Sequence, residues 1–72
     1  MGSQVAVNFP PEVVAQLLVE HDVTALLFKN GKFFRVRMVT SVNNTKEEVR
    51  FIPHSGSAET LPIAEIAEIS ID

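Results

Sequence analysis

The segment Leu26–Met38, which reads LLFKNGKFFRVRM, predicts a β-hairpin and constrains the fold more than any other part of the chain. Asn30 and Gly31 both tolerate a positive φ, so this pair between two apolar runs favours a tight type I′ turn. Before the turn, Val23–Phe28 is almost wholly apolar, as expected of a strand buried on both faces. After it, Phe34–Met38 alternate apolar and basic residues, which predicts one face in the core and one in solvent.

This alternation assigns a direction to each side chain of the second strand. Phe34, Val36 and Met38 are expected to point into the core, which places Arg35 and Arg37 on the outward face. Phe33 shares that outward face. The hairpin therefore predicts a basic surface with one aromatic ring on it.

The chain before the hairpin predicts one short helix over about residues 10–21. Asn8 or Phe9 is suited to its cap, and Pro10 and Pro11 are suited to its first turn. A helix of about three turns is not stable alone, so we expect it to lie against the core. Its apolar stripe consists of Val13, Val14, Leu17 and Leu18.

The chain after the hairpin predicts three more short strands separated by polar turns. Val49 and Phe51 mark the third strand, Thr60–Ile63 the fourth and Ala67–Ile71 the fifth, with one helical turn near Ala64–Ile66. A helix followed by closely spaced strands favours a small, strongly bent sheet. We therefore expect one mostly β domain over residues 1–72, a five-stranded barrel over about 23–71 with an N-terminal α-helix. Residues 1–7 are expected to be a flexible or tag-derived start.

Composition narrows the range of settings and partners. A chain of 72 residues is enough for one domain, and it contains no cysteine, which favours a reducing, cytoplasmic setting. No apolar run approaches the roughly 20 residues of a membrane span, so we expect no membrane partner. The formal net charge of -3 argues against a general nucleic-acid binder. All six basic residues lie between Lys29 and Arg50, which allows one basic and one acidic face, with an ordinary solvated surface as the alternative.

Enzyme chemistry has little support in the sequence. His21 lies at the predicted helix end beside Asp22, where a helix-end charge pair explains it, and His54 lies in a polar turn. Neither histidine has a partner at metal-ligand spacing, and the chain has no glycine-rich phosphate loop. We therefore expect no catalytic residue, no metal site and no cofactor. A barrel that sequesters a small molecule between subunits stays an alternative, because such a pocket leaves no motif.

The order of helix, five strands and a helical turn before the last strand resembles the Sm-like fold, and most closely the Rof (YaeO-type) inhibitors of the transcription terminator Rho. Lys29-Asn30-Gly31 stands at that family's first turn, Gly56 at its second and Leu61–Ile66 at its closing segment, although Ala64 replaces an aspartate. The resemblance implies a non-enzymatic adaptor that blocks a nucleic-acid-binding surface of a Rho-like protein. Its acidic face would consist of Glu59, Glu65 and Glu68.

The chain also resembles Hfq, the bacterial RNA-binding Sm-like protein, in its helix, its Asn-Gly turn and its closing strand. The Tyr-Lys-His-like group of that family is absent, and Leu61-Pro62-Ile63 stands at the comparable place. This second resemblance implies RNA binding by the basic hairpin as the alternative function. The residues involved would be Lys32, Phe33, Arg35, Arg37 and Arg50.

Association with other chains is a further expectation. Val5–Phe9, Phe33 and the closing isoleucines Ile66, Ile69 and Ile71 are more apolar surface than one small barrel readily hides. Sm-like rings form when the fourth strand of one subunit pairs with the fifth of the next. Pro62 lacks an N–H and is suited to a strand at an edge. A monomer or dimer is therefore expected, and not a closed ring.

Overall fold

A computed structural model describes residues 2–72, which form six strands, one α-helix and one 3-10 turn. The strands are β1 (Ser3–Ala6), β2 (Val23–Phe28), β3 (Phe33–Asn43), β4 (Glu48–Pro53), β5 (Glu59–Pro62) and β6 (Ile66–Ile71). The helix α1 spans Pro11–Glu20, and the 3-10 turn spans Ile63–Glu65. The predicted helix and the predicted strands at β2, β4, β5 and β6 are confirmed to within about two residues, whereas β3 continues to Asn43, five residues beyond the predicted Met38.

The start of the chain differs from the prediction. Ser3–Ala6 form β1 and pair antiparallel with β6, where a flexible or tag-derived start had been expected over residues 1–7. The segment has only one clearly apolar position, Val5, so four residues offer too little alternation to predict a strand. Its pairing depends on the edge of β6, which only the tertiary fold supplies.

The six strands form one antiparallel sheet in the order β1-β6-β2-β3-β4-β5. The prediction of a mostly β chain with a single helix is confirmed. Closure into a barrel is not confirmed, because among residues 2–72 the outer strands β1 and β5 form no ladder with each other. The sheet is nevertheless strongly bent, since the molecule measures 27 × 26 × 24 Å.

Two bulges in β3 produce much of this bend. Val36 pairs with Pro53 but Met38 pairs with Ile52, and a second shift follows between Val39 and Ser41. Each shift inserts one extra residue into β3, which bends the strand and increases its twist. The core-facing residues therefore recur every three positions, at Val36, Val39 and Val42, instead of every two.

The first bulge makes the inward assignment of Met38 wrong. The predicted alternation holds for Phe34, Arg35 and Val36, and it ends at Arg37, where the register shift lies. Met38 is 50% exposed as a result. Alternation in the sequence cannot reveal a bulge, because an extra residue leaves no mark in the residue types.

The β2–β3 turn is a three-residue loop, and the predicted type I′ turn is wrong. Gly31 has φ 90° but Asn30 has no positive φ, whereas a type I′ turn needs both. Gly31 N donates to Phe28 O at 2.9 Å, and Phe28 N donates to Lys32 O at 2.8 Å. These two bonds are typical of a three-residue hairpin loop whose last residue is a left-handed glycine. In addition, Asn30 Oδ1 accepts a hydrogen bond from Lys32 N at 2.9 Å.

The core is a single cluster between the bent sheet and α1. Phe51 is fully buried and lies 5.2 Å from the ring of Phe34 and 6.4 Å from that of Phe28, measured between centroids. The helix contributes Val14 and Leu18, as the predicted stripe required, whereas Val13 is 38% exposed. Pro10 caps the helix in place of Asn8 or Phe9, and Ala15 completes the buried face.

Two findings change what was expected of the apolar surface. Ile66 and Ile69 are buried in the core, and so they are not available for association. Phe9 and Phe33 are exposed, at 44% and 58%.

Within residues 2–72, no helix has the length and apolar character needed to cross a bilayer.

The aromatic cluster should carry a large part of the stability of this small domain. Replacing a buried Phe with Ala costs about 3–5 kcal/mol, as much as a core of this size usually supplies. We expect Phe51→Ala to be largely unfolded in buffer and Phe33→Ala to remain within about 0.5 kcal/mol of the wild type. Urea unfolding followed by circular dichroism measures both. Equal losses in the two variants would contradict the assignment of the core.

Glu47 is strained in the β3–β4 turn. Among residues 2–72 it is the only non-glycine residue with a positive φ, at 52°, and its carbonyl accepts from Ile63 N at 2.8 Å. Glycine adopts a positive φ without the steric cost that Glu47 bears, and this gain exceeds the extra conformational entropy that glycine gives the unfolded chain. We therefore expect Glu47→Gly to raise the free energy of unfolding by about 0.5–1 kcal/mol. Glu48→Gly, one residue later in β4, should lower it by a similar amount. Thermal unfolding compares the two, and destabilisation by both changes would refute the strain.

Candidate binding surface

Within residues 2–72, the one α-helix packs on the core side of the sheet, and the outward side of β1, β6, β2 and β3 carries no helix. We call this outward side the outer sheet face. Paired residues of antiparallel strands point to the same side, so the registers define two rows across it. The first row is Ala6, Glu68, Leu27 and Phe33, and the second is Gln4, Ser70, Ala25 and Arg35.

Phe33 is the main apolar feature of the outer sheet face. Its side chain is 58% exposed, and Leu27 beside it is half-buried. Lys32 precedes Phe33 in the turn, and Arg35 follows it on the same face, both exposed. Two of the five predicted nucleic-acid-binding residues, Phe33 and Arg35, therefore share this face, whereas Lys32 lies at the turn opposite the core-facing Phe28.

Arg37 lies apart from this group because of the first bulge. It lines a cleft of about 590 Å³ between the end of α1 and β3. His21 and His54, the only two histidines of the chain, line the same cleft together with Asp22 and Asp72. The sequence indicated a helix-end charge pair for His21 and a polar turn for His54, 33 residues later, and it held no sign that the fold brings both histidines to one cleft.

Arg50 lies on the other half of the sheet. It is exposed on β4, where it pairs with Ser41 of β3 and Thr60 of β5. Arg35 lies before both bulges of β3, and Ser41 lies after them. The bend of β3 therefore separates Arg50 from Arg35, and the arginines of the predicted nucleic-acid-binding set do not form one patch.

The three predicted partner-binding acids are also divided. Glu68 lies on the outer sheet face, two strands from Phe33, which corresponds to about 10 Å between Cα atoms. Glu65 is exposed in the 3-10 turn, and its carbonyl accepts from Lys29 N at 2.7 Å, which ties this turn to the hairpin. Glu59 lies elsewhere, half-buried on β5 opposite Phe51. Glu65 and Glu68 thus border the same hairpin that carries the basic residues.

The chemistry of this surface is suited to contact with another molecule. In the part of the chain from residue 2 to 72, no polar or charged residue is buried, so the charges lie in solvent. No group of three or more His, Asp or Glu residues there is arranged to hold a metal ion. The outer sheet face combines an exposed aromatic ring, small residues at Ala6 and Ser70, and charges of both signs.

Comparison of the chain with protein-family models, with curated proteins and with solved structures finds no match. The resemblance to Sm-like proteins therefore depends on the turns and the closing segment of the sequence. The function is best argued from the outer sheet face itself.

Proposed function

We propose that the chain is a non-enzymatic Sm-like binding module whose outer sheet face docks on a partner protein and blocks a nucleic-acid-binding surface of that partner. The partner would be Rho-like, by resemblance to the Rof inhibitors, and the setting cytoplasmic, since the chain has no cysteine. Exposure of Phe33 on the outer sheet face is the observation that carries this proposal.

The order of elements supports the Sm-like part of the proposal. α1 is followed by β2, β3, β4 and β5, then by a 3-10 turn and β6, which is the element order of the resemblance. The bent sheet with α1 against its core side is compatible with a small, incompletely closed barrel. β1 is an addition to this order.

The arrangement of side chains supports a protein partner. Interface cores are rich in aromatic residues and poor in charge, and a polar rim surrounds them. Here Phe33 and Leu27 provide the apolar centre, while Arg35 and Glu68 provide charges around it. A nucleic-acid-binding partner is basic, so Glu65 and Glu68 are the side chains best suited to attract it.

The edges of the sheet support a monomer or dimer over a closed ring. An Sm-like ring would join β5 of one copy to β6 of the next. β1 already occupies the free edge of β6 through four residue pairs. Pro62 at the end of β5 has no N–H to donate.

Charge reversal at Glu68 tests the proposal. With Rho as the first partner, we expect Glu68→Lys to weaken binding about tenfold or more, equivalent to about 1.4 kcal/mol, because like charges would then meet. Glu20→Lys, exposed at the end of α1 and off the outer sheet face, changes the net charge equally and should bind as the wild type does.

Isothermal titration calorimetry measures the affinity for Rho. Displacement of a fluorescent RNA from Rho measures whether the bound chain blocks the RNA-binding surface of Rho. Failure of the wild-type protein to bind would refute the proposal for this partner. Equal weakening by both substitutions would refute the role of the outer sheet face.

RNA binding by the basic hairpin is the second candidate function. Phe33 offers a face for one base, and Arg35 on the same face offers a phosphate contact. The separation of Arg37 and Arg50 from this group leaves a small site. Such a site is suited to one or two nucleotides of a single strand.

Loss of the ring of Phe33 tests this second candidate. Base stacking contributes about 1–3 kcal/mol, so we expect Phe33→Ala to weaken binding of a uridine-rich RNA about 5- to 150-fold. Phe9→Ala, which removes another exposed ring beside α1, serves as the matched control and should have no effect. Fluorescence anisotropy at two salt concentrations measures the affinity. No binding of RNA by the wild type at low salt would exclude this function.

A further inference from the structure

The sheet has two free edges, and they differ in how well they are protected. The outer strands are β1 and β5. A free edge exposes a row of unpaired N–H and C=O groups, which can pair with a strand of another chain. Proteins usually blunt such edges with charged residues, proline or bulges.

The edge of β5 carries this protection. Its four residues, Glu59–Pro62, include a charged side chain at one end and a proline at the other. Pro62 removes a donor, and Glu59 places a negative charge on the strand of a protein that is already negative. Addition of a strand to β5 is therefore disfavoured.

β1 is as short as β5, but its edge carries no charge, no proline and no bulge. Its four residues read SQVA, and its register with β6 runs from Ser3–Ile71 to Ala6–Glu68 without a shift. Ser3, Gln4 and Ala6 are exposed. β1 is therefore a regular, uncharged edge that is available for pairing.

One hydrogen bond fixes the direction of the backbone groups of β1. Val7 N donates to Ala67 O at 2.9 Å, which makes these two residues a hydrogen-bonded pair in the register of the ladder. Such pairs alternate along an antiparallel ladder, so Val5 and Ser3 also bond to β6. The N–H and C=O groups of Gln4 and Ala6 must then point away from β6, towards the free edge.

We propose that β1 is a self-association edge, at which β1 of a second copy of this chain pairs antiparallel to form a twofold dimer. With Val5 on the axis, Gln4 of each copy lies opposite Ala6 of the other, which makes four backbone hydrogen bonds. Two facts favour a second copy over a strand of another protein. Two uncharged strands meet without repulsion, and the pairing places one half-buried Val5 against the other on the core side of the sheet.

The mass in solution is the first test. Light scattering over about 1 μM to 1 mM protein should show a concentration-dependent approach to twice the 7.9 kDa of one chain. A single-chain mass over the whole range would overturn the proposal. A mass of five or more chains would also overturn it, because a twofold dimer uses the β1 edge of both copies and leaves no β1 edge for a further chain.

Proline substitution tests the edge itself. Gln4→Pro removes an N–H that points to the free edge and leaves the bonds between β1 and β6 in place, so we expect at least tenfold weaker dimerisation. Gln4→Ala keeps that N–H and should dimerise as the wild type does. Ala6→Pro removes the other outward N–H and should repeat the effect. A dimer that survives both proline substitutions would overturn the proposal.

Amide hydrogen exchange gives a readout that does not depend on how the proline variants fold. In the wild type, exchange at Gln4 and Ala6 should slow as protein concentration rises. Exchange at Ser3 and Val5, which bond to β6 within one copy, should not change in the same way. Dimers without slower exchange at Gln4 and Ala6 would place the contact on another surface. These results are independent of binding to Rho or RNA, so this proposal and the proposed function fail separately.

Discussion

The register between β3 and β4 is the constraint on which the rest of the structure depends. Two extra residues in β3 bend the strand, so that its first half pairs with β2 and its second half pairs with β4. The bend brings the two halves of one sheet around a single aromatic cluster centred on Phe51. Without it, a six-stranded sheet would be too flat for one ten-residue helix to complete the core.

The same bend distributes the charged residues. Arg35 stays with the outer sheet face, Arg37 at the first bulge moves to the cleft with the two histidines, and Arg50 lies on the other half of the sheet. Arg35, Arg37 and Arg50 thus lie in three separate environments of the fold. The outer sheet face keeps a small surface around Phe33 with apolar and charged side chains. An apolar centre with charges around it is typical of a protein interface, whereas binding along a nucleic-acid backbone needs many basic residues.

Local sequence patterns predicted the helix and the strands well where apolar residues recur at a clear helical or strand spacing. Val49 and Phe51 are both fully buried, as the alternation of the third strand required, and α1 begins at a proline and presents its apolar stripe to the core. The details of turns were less predictable. Asn30-Gly31 does form a hairpin, but Asn30 uses its side chain to hold Lys32 N, and the loop has three residues instead of two.

Hydrophobic periodicity is a local property, and it was sufficient to predict one helix and a series of short strands around an apolar core. Three features appear only in the tertiary fold: the strand Ser3–Ala6, the exposure of Met38, and the surface that Glu68 shares with Phe33. Each of these depends on which strand lies beside which and in what register. Hydrogen bonds between distant backbone segments accompany that choice, and every residue except proline offers the same N–H and C=O groups to them.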